Sequence, residues 1–207
     1  MRLNTILLLA GLATLPGCGA LSALQGEPDR DLFELRPPAP LSCGPARVGE
    51  LVIEPPKARG TLDSNRIMIR PSPLQTQYLP DAEWGDPVPA MMQRLLVRSF
   101  DATGSFEHVG RAPLGLAGDY ALISEIEDFN AELRSDGTVV RLTIEAQMVS
   151  EMKADVVARG HFAATVPAGS TRTADLIPAF DAAARQVVGQ MTQWGLAAAG
   201  VRPGSCS

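Results

Sequence analysis

The chain has 207 residues, 45% of them hydrophobic, and 18 Lys and Arg against 23 Asp and Glu give a net charge of −5. That length is enough for one good core. No basic cluster stands out, which removes the electrostatic footprint of a nucleic-acid partner. The first element in chain order is a targeting segment. In MRLNTILLLAGLATLPG, Arg2 precedes an apolar run from Ile6 to Leu15. That run is far short of the ~20 residues a spanning helix needs. A charged start, a short apolar stretch and small residues before a cut describe a secretory signal over 1–17. No later stretch is long enough to span a bilayer.

Cys18 then takes the first mature position, behind Leu15-Pro16-Gly17. This is the arrangement of a bacterial lipobox, with Pro16 a less usual occupant of its place. The expectation is a lipidated cysteine carrying palmitate-type acyl chains; an ordinary secreted protein with a chance cysteine is the alternative. Lipidation makes the protein membrane-attached without a transmembrane helix. Each buried CH₂ contributes roughly 0.8 kcal/mol, and firm attachment takes more than one chain. The next residue is Gly19, not an inner-membrane-retaining Asp, which favours the periplasmic face of the outer membrane.

Residues 18–30 read as the lipidated cysteine and a flexible tether, and 31–207 as a single folded domain. Residues 32–36 suggest a first strand, stopped by Pro37 and Pro38. Cys43 follows. With Cys206 near the C-terminus it allows one intramolecular disulfide, expected from the oxidising compartment; free thiols or pairing between subunits remain open. RVGELVIEPP at 47–56 is a second short strand. RIMIRPSP and LQTQYLP suggest two strands separated by a turn at Pro71-Ser72-Pro73. Tyr78 and Trp84 end this region, either as core anchors or as a partner contact, since aromatics favour both.

DPVPAMMQRLLVRSFDATG changes period. Val88, Met91, Met92, Leu95, Leu96 and Phe100 recur at three- and four-residue steps, with Asp86 as cap and Pro87 in the first turn. SFEHVG is a short strand. DYALISEIEDFNAEL runs to Ser135-Asp136-Gly137, a tight-turn signal. TVVRLTIEAQMVS puts Val140, Leu142, Ile144, Ala146 and Met148 on one face. Arg141, Thr143, Glu145 and Gln147 take the other, predicted to be wet. ADVVARGHFAATV completes an antiparallel meander. The last element is a helix with Asp175 as cap, Pro178 in its first turn, and a stripe from Leu176 to Trp194. The sum is one α/β (α+β) domain: a mostly antiparallel sheet with two amphipathic helices packed on one face.

Chemistry is sparse. His108 and His161, the two histidines, read as surface residues, with no metal-ligand spacing between them. There is no nucleophile elbow and no phosphate loop. Glu125 and Glu127 fit a solvated strand face. The expectations are no catalytic residue, no metal, no cofactor and no enzyme activity.

The stretch LDSNRIMIRPSPLQTQYLPDAEWGDPVPAMMQRLLVRSF resembles the ABC-type transport auxiliary lipoproteins, the PqiC-like group. The resemblance rests on Leu62, Asp63, Arg66, Ile67, Tyr78, Trp84, Pro87 and Leu95-Leu96, with the Cys18 lipobox and the strand near Phe33–Leu35 in keeping. It is sharp over about 50 residues. It implies a non-catalytic accessory lipoprotein of an Mce-type ABC system that moves lipids between inner and outer membranes. It also implies docking on the periplasmic Mce-domain protein and its permease/ATPase complex, and self-association into a homo-oligomer. An envelope assembly or scaffold lipoprotein unrelated to a transporter is the alternative.

Overall fold

A computed structural model describes residues 30–41, 43, 48–111 and 118–201. The elements follow in the order β1 (Asp31–Phe33), β2 (Glu50–Ile53), β3 (Lys57–Ala58), β4 (Arg66–Ser72), β5 (Gln75–Trp84), α1 (Val88–Asp101), β6 (His108–Arg111), β7 (Tyr120–Arg134), β8 (Gly137–Ser150), β9 (Asp155–Ala168) and α2 (Thr173–Ala198).

The sheet is organised around β7. One edge of β7 pairs antiparallel with β8 over its whole length, from Tyr120↔Ser150 to Arg134↔Gly137. The other edge carries three short parallel partners in series: β2 at Leu51↔Tyr120, β3 at Lys57↔Glu125 and β4 at Ile69↔Ala131. β5 then pairs antiparallel with β4, and β1 and β6 add parallel to β5 and β2. β9 pairs antiparallel with β8. The long pairings are antiparallel and the short ones mostly parallel, so the domain is α+β as expected.

The side-chain alternation of β8 is borne out on the core side, where Val140, Leu142, Ile144, Ala146 and Met148 are at most 3% exposed. Strand β7 is less regular. Leu122 and Ile126 face the core, then Phe129 and Ala131 do, so the parity changes between them. A β-bulge is the cause. Ile126 pairs with Ile144 and Asp128 with Thr143, which leaves Glu127 as an extra residue.

The outer face departs from the predicted wet row. Arg141, Glu145 and Gln147 are exposed, but Thr143 is only 4% exposed. Its register partner is Asp128, and a mesh of ion pairs lies across this part of the face. Arg70 and Arg141 reach Asp128 at 3.2 and 3.6 Å, and Arg134 and Arg141 reach Glu132 at 2.6 and 3.7 Å. Burial works against the charge of Glu132, but Arg134 and Arg141 hold its carboxyl below the usual range.

Both helices cover the apolar face, with their ends shifted from expectation. The residue flanking α1 is Pro87, in extended conformation, and Asp86 does not cap the helix. Its carboxylate is drawn instead to Arg94, two turns along. Val88, Met91, Met92, Leu95, Leu96 and Phe100 form the buried stripe, and the buried Gln93 amide donates to the Ile53 carbonyl at 2.8 Å. Helix α2 begins at Thr173 after Arg172, so Asp175 lies within its first turn rather than capping it, and Pro178 lies inside the helix. The missing Pro178 N–H leaves the Ala174 carbonyl without its intrahelical donor; Ala174 is exposed, so water can replace it. Strand β4 likewise runs through Pro71 to Ser72, and the turn falls at Pro73-Leu74. The β4–β5 register is irregular between Ile69 and Ser72, where a residue without an N–H is tolerated.

Candidate functional site

The Tyr78–Trp84 region divides in two. Trp84 is 1% exposed. Its ring stacks on Phe129 at 5.6 Å and meets Phe180 edge-on at 5.4 Å, with Phe129 and Phe180 5.0 Å apart. A residue enclosed by a strand and a helix belongs to the core. Tyr78 is half-buried. Its hydroxyl donates to the Thr61 carbonyl at 3.0 Å and the Arg66 guanidinium lies 4.9 Å over its ring. Of the two aromatics, Tyr78 is the one at the surface.

Cys18 and Cys206 lie outside the described residues. Cys43 is half-buried, and its backbone N–H donates to the Thr103 carbonyl at 3.3 Å, just past the end of α1. Cys43 also has a partner beyond this bond.

The N-terminal segment is held to the body at two places. β1 adds to β5, with Gly85 N–H donating to the Phe33 carbonyl at 2.9 Å. Two residues later Leu35 is buried, and Arg36 grips Asp181 of α2. The Arg36 backbone N–H donates to Oδ1 at 2.9 Å, and its guanidinium donates to Oδ2 at 2.6 and 3.2 Å. Arg185 approaches the same oxygen at 3.3 Å. Burial opposes the charge of Asp181, but the Arg36 hydrogen bonds and the two positive charges outweigh it and hold the carboxyl below its usual range. Sequence reading missed this pair, although a lone acid inside the apolar stripe of α2 was a visible signal.

A carboxyl lowered in the folded state stabilises above its unfolded pKa, and that stabilisation disappears as pH falls through the folded value. Asp181→Asn is therefore expected to lower the melting temperature by a few degrees at pH 7. The gap between the two proteins should close below about pH 4. Melting curves from pH 7 to pH 3 check this; a gap that widens in acid contradicts it.

The meander carries a second group, which sequence reading left as separate surface residues. Glu127, Glu145 and His161 come from adjacent strands, and their nearest N and O atoms lie within 4.8 Å of one another. His161 Nδ1 sits 2.5 Å from a Glu145 carboxylate oxygen. His108 is exposed on β6, away from this group. A cleft near the end of α2 contains Tyr120 and the 82%-exposed Met152. Its one Asp, Asp119, is used structurally, accepting the Glu50 N–H at 2.8 Å. Among the described residues no nucleophile, base and orienting group converge. No described helix is long and apolar enough to cross a membrane.

Comparison with known proteins accords with this architecture. A crystal structure of a Xanthomonas campestris protein is 26% identical and superposes with a TM-score of 0.72, covering 81% of this chain and 96% of that one. A second solved structure, described as an uncharacterized protein, is 14% identical with a TM-score of 0.62, covering 80% and 98%. The PelC dodecamer from Paraburkholderia phytofirmans is more distant, at 13% identity and a TM-score of 0.47, covering 78% and 95%. No curated protein matches the sequence. The family model described as the ABC-type transport auxiliary lipoprotein component matches residues 33–192, from the strand that leads into the Arg36 clamp to the last turns of α2, and the chain belongs to that family.

Proposed function

We propose that this chain is a non-catalytic accessory lipoprotein of an Mce-type ABC system that moves lipids between the inner and outer membranes. The observation that carries this reading is the pairing of a lipobox at Cys18 with a family match over 33–192. In this reading residues 1–17 are removed, Cys18 is acylated, and 18–30 tether the 31–207 domain to the periplasmic face of the outer membrane. The double hold on residues 31–36 supports it, because a domain tethered through this end needs the chain fixed to its body where the tether joins it. The surface around Tyr78 and Arg66 is the proposed contact for the periplasmic Mce-domain protein, the protein self-associates, and Cys43 pairs with Cys206.

The test is membrane fractionation with capture of partners. Wild-type protein is expected in the outer-membrane fraction, acyl-labelled and co-purifying with an Mce-domain protein and its permease and ATPase. Cys18→Ser is expected to lose the acyl label completely and to appear either soluble or uncleaved in the inner membrane. Persistent label in the variant contradicts the anchor. A lipidated protein that captures other envelope components and no transporter favours the scaffold reading.

A further inference from the structure

Glu127, Glu145 and His161 stand in a row across the outer face of β7, β8 and β9. Glu145 and His161 are direct register partners. Glu127 is the extra residue of the β7 bulge, and bulges commonly re-aim a side chain. The core does not require that residue: with Glu127 taken out, Ile126, Asp128 and Phe129 would alternate in, out, in. Glu125 directly faces Glu145 across β7 and β8, a like-charge pair that is unfavourable on a sheet. Lys57, opposite Glu125, and Arg159 lie nearby. Neither forms an ion pair with Glu125, Glu127 or Glu145. The local negative charge is therefore only partly offset by the protein's own cations.

We propose that Glu127, Glu145 and His161 bind a divalent transition-metal ion of the Zn²⁺ class. The imidazole nitrogen decides the class. Carboxylates alone suit hard ions such as Mg²⁺ and Ca²⁺, whereas a mixed nitrogen and oxygen set suits Zn²⁺, Ni²⁺ and Cu²⁺. The donors project from three hydrogen-bonded strands, a scaffold that holds them more firmly than a loop would. The His161 and Glu145 side chains are 58% and 49% exposed, so they can turn to bring each donor to about 2.0–2.2 Å from the ion. The ion takes the place of the proton between Nδ1 and the carboxylate, and the imidazole binds it in the neutral form, with its single proton on Nε2. Three protein ligands leave coordination positions open to water. This site does not depend on the transport reading.

The test uses tag-free, chelator-stripped protein titrated with ZnCl₂ by calorimetry, and with CoCl₂ by visible absorption. One equivalent of Zn²⁺ is expected to bind, and bound Co²⁺ is expected to show d–d bands. His161→Ala, Glu145→Gln and Glu127→Gln are each expected to weaken binding at least about tenfold, since losing even an outer partner costs that much. His108→Ala should leave binding unchanged. The substituted side chains are largely at the surface, and unchanged melting of the metal-free variants checks that the fold is intact. No uptake of Zn²⁺, or uptake unaffected by His161→Ala and Glu145→Gln, overturns the site. Loss with those two but not with Glu127→Gln overturns the three-ligand assignment.

Discussion

Trp84→Ala will remove about 3–5 kcal/mol of stability, the range for deleting a large buried aromatic, and lower the melting temperature on the order of 10 °C. The indole lies between β7 and α2, stacked on Phe129 and edge-on to Phe180. Truncation leaves a cavity bounded by those two rings, which also pack on each other. Neither can follow the missing indole without giving up its own contacts. Trp84→Phe keeps a ring in the site and should lose much less. Urea unfolding of both variants measures the difference. A fall of less than about 1 kcal/mol for the alanine variant would show that the ring does not hold the strands and α2 together.

Valine at position 195 will be the second severe change, and its mechanism is the opposite one. Gly195 lies where α2 passes close to Phe100 of α1. A Cβ there would sit 2.6 Å from the Phe100 ring and 3.2 Å from Met148. Glycine to alanine in a helix ordinarily gains about 1 kcal/mol of propensity. Overpacking costs typically 1–3 kcal/mol and occasionally more, so Gly195→Ala should be a net loss and Gly195→Val a larger one. Combining Gly195→Ala with Phe100→Leu should cost less than the sum of the single changes, because the smaller side chain opens the crossing. Strict additivity in a double-mutant cycle would rule out the Phe100 contact as the cause.

Elements with local causes were legible in the residues. The alternation of β8 and the apolar stripe of α1 identify those elements and their inward faces, and Ser135-Asp136 makes the turn between β7 and β8. What could not be read depends on partners distant in the chain. The β7 bulge hides its alternation, because Glu127 and Asp128 both point outward. Thr143 looks like a wet residue until Asp128 and its arginines are placed beside it. Arg36 and Asp181 are 145 positions apart, and nothing in either neighbourhood names the other. His161 and Glu145 become partners only once the β8–β9 register is set, and a further register shift after Met148 separates that register from a simple count back from the turn. Asp175 failed as a cap because Ser170 and Arg172 hold its carboxylate, which lies below its usual pKa range.

The arrangement around β7 also sets an order of folding. β7 follows β2, β3 and β4 in the chain, yet it is the strand on which all three pair. A chain emerging from its N-terminus would hold those edges open until residue 134 is available. The meander β7–β8–β9 has only short turns to close, so its contacts form at a small loop-closure cost. The C-terminal half then becomes the template, and the N-terminal half docks onto it. The edges of β2, β3 and β4 that pair with β7 thus stay open longest, and through them misassembly would begin.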